Sequence, residues 1–159
     1  PNLIFINGHG DECSLYGDKD KVIFSDENIT LLKNRIIYAR ACSAGAFLGK
    51  KIGENSNGCF IGYKFPFSFW IDERWSTKPS NDNTAKLYLE PSNEIVVSLI
   101  KGKTADESNE KSKKIMIENM KKLLKFEEKK EVGVMGMLQI LWNNFEGQVL
   151  YGNPLVRFA

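Results

Sequence analysis

Four short runs of consecutive apolar residues punctuate the chain: Leu3–Ile6, Ile36–Ala39, Cys59–Gly62 and Val149–Tyr151. A strict apolar/polar alternation marks a strand wet on one face, whereas a continuous apolar run marks one buried on both, as in a parallel sheet covered by helices. The first three runs, rich in Ile, Phe and Tyr, predict strands of the second kind. Between them lie helical signals. Ser25-Asp26-Glu27 can cap a short helix through Leu32, and Ser43 to about Ile52 predicts a helix directly after the second strand. Thr84–Glu90 and Asn93–Lys101 predict two further helical pieces, with Pro91 restarting the second at its first turn. The longest helix is expected after Thr104, with Asp106 and Glu107 in a first turn where the helix dipole favours acids. Met116, Met120, Leu123 and Leu124 recur on it at helical spacing, one apolar stripe. Val134–Trp142 is apolar nearly all round and predicts a buried helix. Lys64–Asn83, with Pro66 and Pro79, predicts a loop of a length that is usually functional or mobile. Strands alternating with helices give one α/β domain over 1–159.

Composition narrows the function classes. With 42% apolar residues the chain can bury a core, and a net charge of +2 gives no electrostatic case for nucleic acid or a membrane surface as partner. The basic excess lies between Lys101 and Lys130, interleaved with acids, as on a solvated helix face. No apolar run is long enough to cross a bilayer. Cys13, Cys42 and Cys59 lack metal-ligand spacing, and with a single histidine, His9, a structural zinc site is not expected. No signal peptide is visible, so the expected location is cytoplasmic.

Two strand ends carry reactive residues. Leu3-Ile4-Phe5-Ile6-Asn7-Gly8-His9-Gly10 sets the only histidine just past one strand, and Ile36-Ile37-Tyr38-Ala39-Arg40-Ala41-Cys42 sets a cysteine just past another. Ligands of open parallel sheets bind outside the carboxyl ends of the strands. Parallel pairing of these two would therefore bring His9 and Cys42 to one crevice. The glycines around His9 permit a sharp turn and leave an unobstructed N–H at Gly10. A helix starting at Ser43 would stabilise a Cys42 thiolate with the positive end of its dipole. The N–H groups of Gly10 and Cys42 could then form an oxyanion hole. Cys13 and Cys59 have no such context: one is a loop residue, the other a core-strand residue. Ala41-Cys42-Ser43-Ala44-Gly45 also superficially resembles a tyrosine-phosphatase loop. That loop needs His before the cysteine and Arg six positions after it to clamp phosphate. Ala41 and Leu48 occupy those places, which disfavours a cysteine-dependent phosphatase.

A strand ending in Gly-His-Gly followed by one ending in Ala-Cys-x-x-Gly resembles the caspase–gingipain clan of cysteine peptidases, most closely its gingipain and CHAT branches. Gly58–Tyr63 resembles the strand after the nucleophile helix of that clan. Tyr151–Arg157 resembles its closing Gly-Asp-Pro stretch, with Asn153 where Asp is usual. The resemblance implies a three-layer caspase-like fold, a mainly parallel sheet with helices on both faces, of which this chain would be the C-terminal portion. At least two further strands would precede Pro1, in a longer chain or a second fragment, and an upstream domain or regulatory partner is expected besides. It also implies His9 and Cys42 as catalytic dyad, Gly10 and Cys42 as oxyanion hole, no cofactor, and a protein or peptide substrate cleaved through a thioester. The alternative is a catalytically inactive caspase-like binding module, although such a module has no need of both His9 and Cys42.

Arg40, Asp11 and Trp70 are the expected substrate-binding residues. Strand alternation sends Tyr38, Arg40 and Cys42 to one face. In related enzymes the residue two before the cysteine shapes the primary specificity pocket, so Arg40 would favour an acidic or polar side chain before the cut. The competing expectation is internal neutralisation of Arg40 by Asp11 or Glu12. Phe65, Phe67, Phe69, Trp70 and Trp75 make Lys64–Asn83 unusually aromatic, either as a roof over the core or as a substrate-binding wall.

Overall fold

The computed structural model describes residues 2–127 and 133–158. Its centre is a four-stranded sheet of β1 (Leu3–Asn7), β5 (Ile36–Arg40), β6 (Cys59–Tyr63) and β7 (Gln148–Gly152), in that spatial order. β1 and β6 pair parallel to β5, and β7 runs antiparallel to β6. All four apolar runs are thus strands. A separate three-stranded antiparallel sheet joins β2 (His9–Gly10), β3 (Ser14–Tyr16) and β4 (Val22–Ser25). These strands span two to four residues, too few for a periodic signal, so the sequence does not announce them.

β5 and β6, the latter at every residue, are buried on both faces as expected, whereas β1 is not. On one face, Ile36, Tyr38, Cys59, Ile61 and Tyr63 pack beneath three helices: α2 (Asn83–Ile100), α3 (Ala105–Glu127) and α4 (Val134–Gly147). On the other, Ile37, Ala39 and Phe60 meet Leu48 and Ile52 of α1 (Leu48–Gly53), with Leu15 of β3 and Leu32. Sheet residues of opposite parity therefore feed two cores, and the arrangement is three-layered, with helices on both faces of a mostly parallel sheet. β1 is an edge strand and only half buried, its Phe5 42% exposed.

Several local expectations are corrected. α2 is continuous through Pro91, which is buried inside it. α1 begins at Leu48, since Ser43–Phe47 forms turns in which Ser43 adopts a left-handed φ of +57°. α4 is half exposed rather than wholly buried, with Met135 and Trp142 in solvent. On α3, Met116 and Leu123 are buried while Leu124 is 51% exposed, so the apolar stripe is narrower than its spacing implied. The start of α3 matches: Thr104 and Glu107 form a reciprocal capping pair, each side chain accepting the other's backbone N–H. The described lysines between Lys101 and Lys125 are largely exposed, as a solvated face requires, while Lys129 and Lys130 lie outside the described residues. No helix among the described residues is long and apolar enough to cross a membrane.

Candidate active site

Parallel pairing of β1 with β5, in the register Asn7 opposite Arg40, carries the two reactive segments off the same edge of the sheet. Past that edge the backbones stay together, Gly8 N–H donating to the Arg40 carbonyl at 3.3 Å. A crevice of about 430 Å³ opens there, lined by both His9 and Cys42. Asn7, Gly8, Arg40 and Ala41 complete its strand-end wall, and Phe67, Phe69 and Leu89 face them.

Each reactive side chain is set by its own local device. His9 opens the β2–β3 hairpin, whose turn is tied by Asp11. One Asp11 carboxylate oxygen accepts the N–H groups of Cys13 and Ser14 at 2.8 Å, and the other accepts the Tyr16 hydroxyl. The Tyr16 hydroxyl above all, with the Cys13 and Ser14 N–H groups, holds the Asp11 carboxyl below the usual carboxylate range. The imidazole of His9 is exposed and has no hydrogen-bond partner among the described residues. Cys42 is half buried, and its Sγ faces the Phe67 carbonyl oxygen at 3.9 Å. The chain leaves it through a tight turn, with Ser43 N–H donating to Phe65 O and Gly45 N–H to Tyr63 O. The left-handed Ser43 costs roughly 1–2 kcal/mol, a strain of the kind that concentrates at functional turns. With α1 starting only at Leu48, Cys42 does not rest on a helix N-terminus, and the expected dipole stabilisation of its thiolate is absent.

Gly10 joins the two halves. Asp11 N–H donates to Ser14 O, so the next pair along the hairpin, Gly10 with Leu15, is the kind that exchanges no backbone bonds. The Gly10 N–H therefore points away from β3. A Cβ at Gly10 would lie 3.0 Å from both the Cys42 carbonyl oxygen and the Ala41 Cβ, so glycine lets the hairpin approach the Cys42 segment this closely without displacing it. The Cys42 N–H likewise has no acceptor among the described residues.

Arg40 lines the crevice beside the cysteine, and the expected neutralisation by Asp11 or Glu12 does not occur. Arg40 Nε donates to Asn7 Oδ1 and Nη1 to Asn93 Oδ1, both at 2.8 Å, and the guanidinium lies 5.6 Å from the centroid of the Phe5 ring. Two neutral amides thus hold the group while leaving its charge uncompensated: no carboxylate pairs with it among the described residues. Asp11 is spent inside its own hairpin. Trp70 also lies away from the crevice, its ring against Gly136 of α4. The aromatic wall comes instead from Phe67 and Phe69, with Phe67 packed on Tyr63 at 4.7 Å between ring centroids.

Of the remaining cysteines, Cys59 is fully buried in β6, and burial pushes its thiol up to about 12. Cys13 is exposed at the hairpin turn. No cluster of His, Cys, Asp and Glu able to hold a metal ion occurs among the described residues. The sequence offers no local signal for Leu89 or Asn93, which reach the site from α2. Asn7 stood one residue from the Gly-His-Gly signature, and there its position was the signal. Comparison with known protein families, with curated proteins and with solved structures finds no match to this chain.

Proposed function

We propose that this protein is a cysteine endopeptidase of caspase-like type, with Cys42 as nucleophile and His9 as general acid and base. The observation that carries the reading is the convergence of the molecule's only imidazole and its only half-buried thiol on one crevice, at the carboxyl ends of adjacent parallel strands. In the reaction, the Cys42 thiolate attacks the scissile carbonyl while the N–H groups of Gly10 and Cys42 receive the oxyanion. Collapse breaks the C–N bond, and the His9 imidazolium gives its proton to the departing amine. A water then loses its proton to His9, attacks the thioester and releases the acid product and the thiol. The unpaired charge of Arg40 supports a peptide with an acidic side chain before the cut as substrate.

The test is labelling of wild type, Cys42→Ala and His9→Ala with peptidyl acyloxymethyl ketones bearing acidic, basic or aliphatic side chains, alongside hydrolysis of the matching peptides. Covalent labelling confined to Cys42, with hydrolysis lost in both variants, is the expected result. Alkylation of Cys42 by small reagents without peptide labelling or hydrolysis would favour a binding module instead.

A further inference from the structure

Lys64–Asn83 carries Phe67 and Phe69 across the mouth of the crevice, yet its backbone belongs to no sheet. Its first residue is fixed by Lys64 N–H donating to Gly147 O at the end of α4, at 2.8 Å. Four residues later comes a two-bond clamp. Ser68 N–H donates to Asn144 Oδ1 at 3.1 Å, and Asn144 Nδ2 donates back to the Ser68 carbonyl at 2.6 Å. Asn144 sits on α4 and is 1% exposed. A buried side-chain amide is costly unless its hydrogen bonds are made, and this one meets both backbone groups of one loop residue, as a neighbouring strand would. Ser68 lies between the two aromatic residues of the wall. Its predecessor Phe67 places the carbonyl that faces Cys42 Sγ, and Phe65 O accepts the N–H of Ser43, the residue after the nucleophile.

We propose that Asn144 is a positioning residue for the site. By clamping Ser68 it fixes Phe67 and Phe69 as a preformed substrate wall and sets the Phe67 carbonyl over the Cys42 thiol. Released from the clamp, the wall would no longer orient a peptide against Cys42, and the thiol would lose its carbonyl cover. The first consequence rests on the peptidase reading; the second does not.

Two reagents separate them, read by mass spectrometry on wild type, Asn144→Leu and Asn144→Asp. Asn144→Asp keeps the shape and an acceptor for the Ser68 N–H but sets a buried carboxylate oxygen against the Ser68 carbonyl, replacing one bond by a repulsion. Labelling by the peptidyl acyloxymethyl ketones should slow by about 10- to 100-fold in Asn144→Leu, the scale expected when a substrate is misplaced by about an ångström, and should slow in Asn144→Asp as well. Alkylation of Cys42 by iodoacetamide should become several-fold faster in the same proteins. Buried Cys59 reports folding: a purely structural loss would open it to iodoacetamide, whereas the clamp's loss leaves it protected. If Asn144→Leu fails that control, Asn144→Asp decides by the same criteria. Rates within about twofold of wild type for both reagents overturn the proposal. If wild type takes iodoacetamide at Cys42 and no peptide ketone, the peptidase reading fails. The alkylation ratio then judges the clamp alone: a several-fold rise supports it, and equality overturns it.

Discussion

Replacing Gly10 by alanine tests how the two strand ends cooperate. Gly10 does not have a positive φ, so alanine meets no backbone penalty there and the effect is one of space. The new methyl would stand 3.0 Å from the Cys42 carbonyl oxygen, 3.0 Å from the Ala41 Cβ and 3.3 Å from Leu15 Cδ2. Contacts this short are tighter than nearly all that a real Cβ makes, so the hairpin and the Cys42 segment must separate by a few tenths of an ångström. Two of the three neighbours are a backbone oxygen and the Cβ of a buried alanine, neither of which can rotate away. Overpacking of this kind costs about 1–3 kcal/mol, and for a domain of this size each kcal/mol lowers Tm by about 2–4 °C. The same displacement moves the Gly10 N–H away from the Cys42 N–H. A fully removed oxyanion donor costs about 10²–10³ in kcat, so partial misplacement should lower kcat by about 10- to 100-fold with little change in KM. Gly136→Ala is the control: it lies on the exposed side of α4, outside the crevice, and its Cβ would meet only the Trp70 ring, at 3.4 and 3.9 Å. Alanine suits a helix better than glycine, so Tm should not fall and kcat should stay near wild type. Calorimetry and peptide hydrolysis on both variants provide the measurement. A Gly10→Ala protein with wild-type kcat, or a Gly136→Ala protein equally impaired, would refute this assignment.

Arg40→Ala should lower kcat/KM for peptides with Asp before the cut by about 10- to 100-fold, the value of hydrogen bonds to a charged partner, while leaving neutral peptides nearly unaffected; equal losses for both would make Arg40 structural. Asp11→Ala should lower Tm at pH 7 and weaken hydrolysis through a loosened His9 hairpin. Because the folded carboxyl titrates below its ordinary value of 3.8, its stabilisation is complete above that value and disappears as pH falls through the lowered folded pKa. The Tm gap between wild type and Asp11→Ala should therefore be full at pH 5 and close progressively below about pH 4; a gap constant down to pH 2 would contradict the assigned hydrogen bonds.

The continuous apolar runs marked the strands of the central sheet, two of which, β5 and β6, are buried on both faces, and three of the four pair in parallel. Asp106 and Glu107 after Thr104 marked the start of α3, because a helix N-terminus favours acids locally. The position of His9 and Cys42 just past two such strands was equally legible, because a strand end is a local property and parallel pairing brings two of them together. Other features needed the tertiary structure. The hairpin strands around Leu15 are too short to show a period, and the turns after Cys42 delayed a helix that composition alone would start at Ser43. The partners of Arg40 do not follow from proximity in sequence: Asp11 is consumed by its own turn, while Asn93 arrives from a helix 53 positions away. The Asn144–Ser68 clamp spans 76 positions. Such pairs leave no trace in any local window, since an asparagine on a helix reads only as a polar residue until folding decides whether it meets water or another segment's backbone.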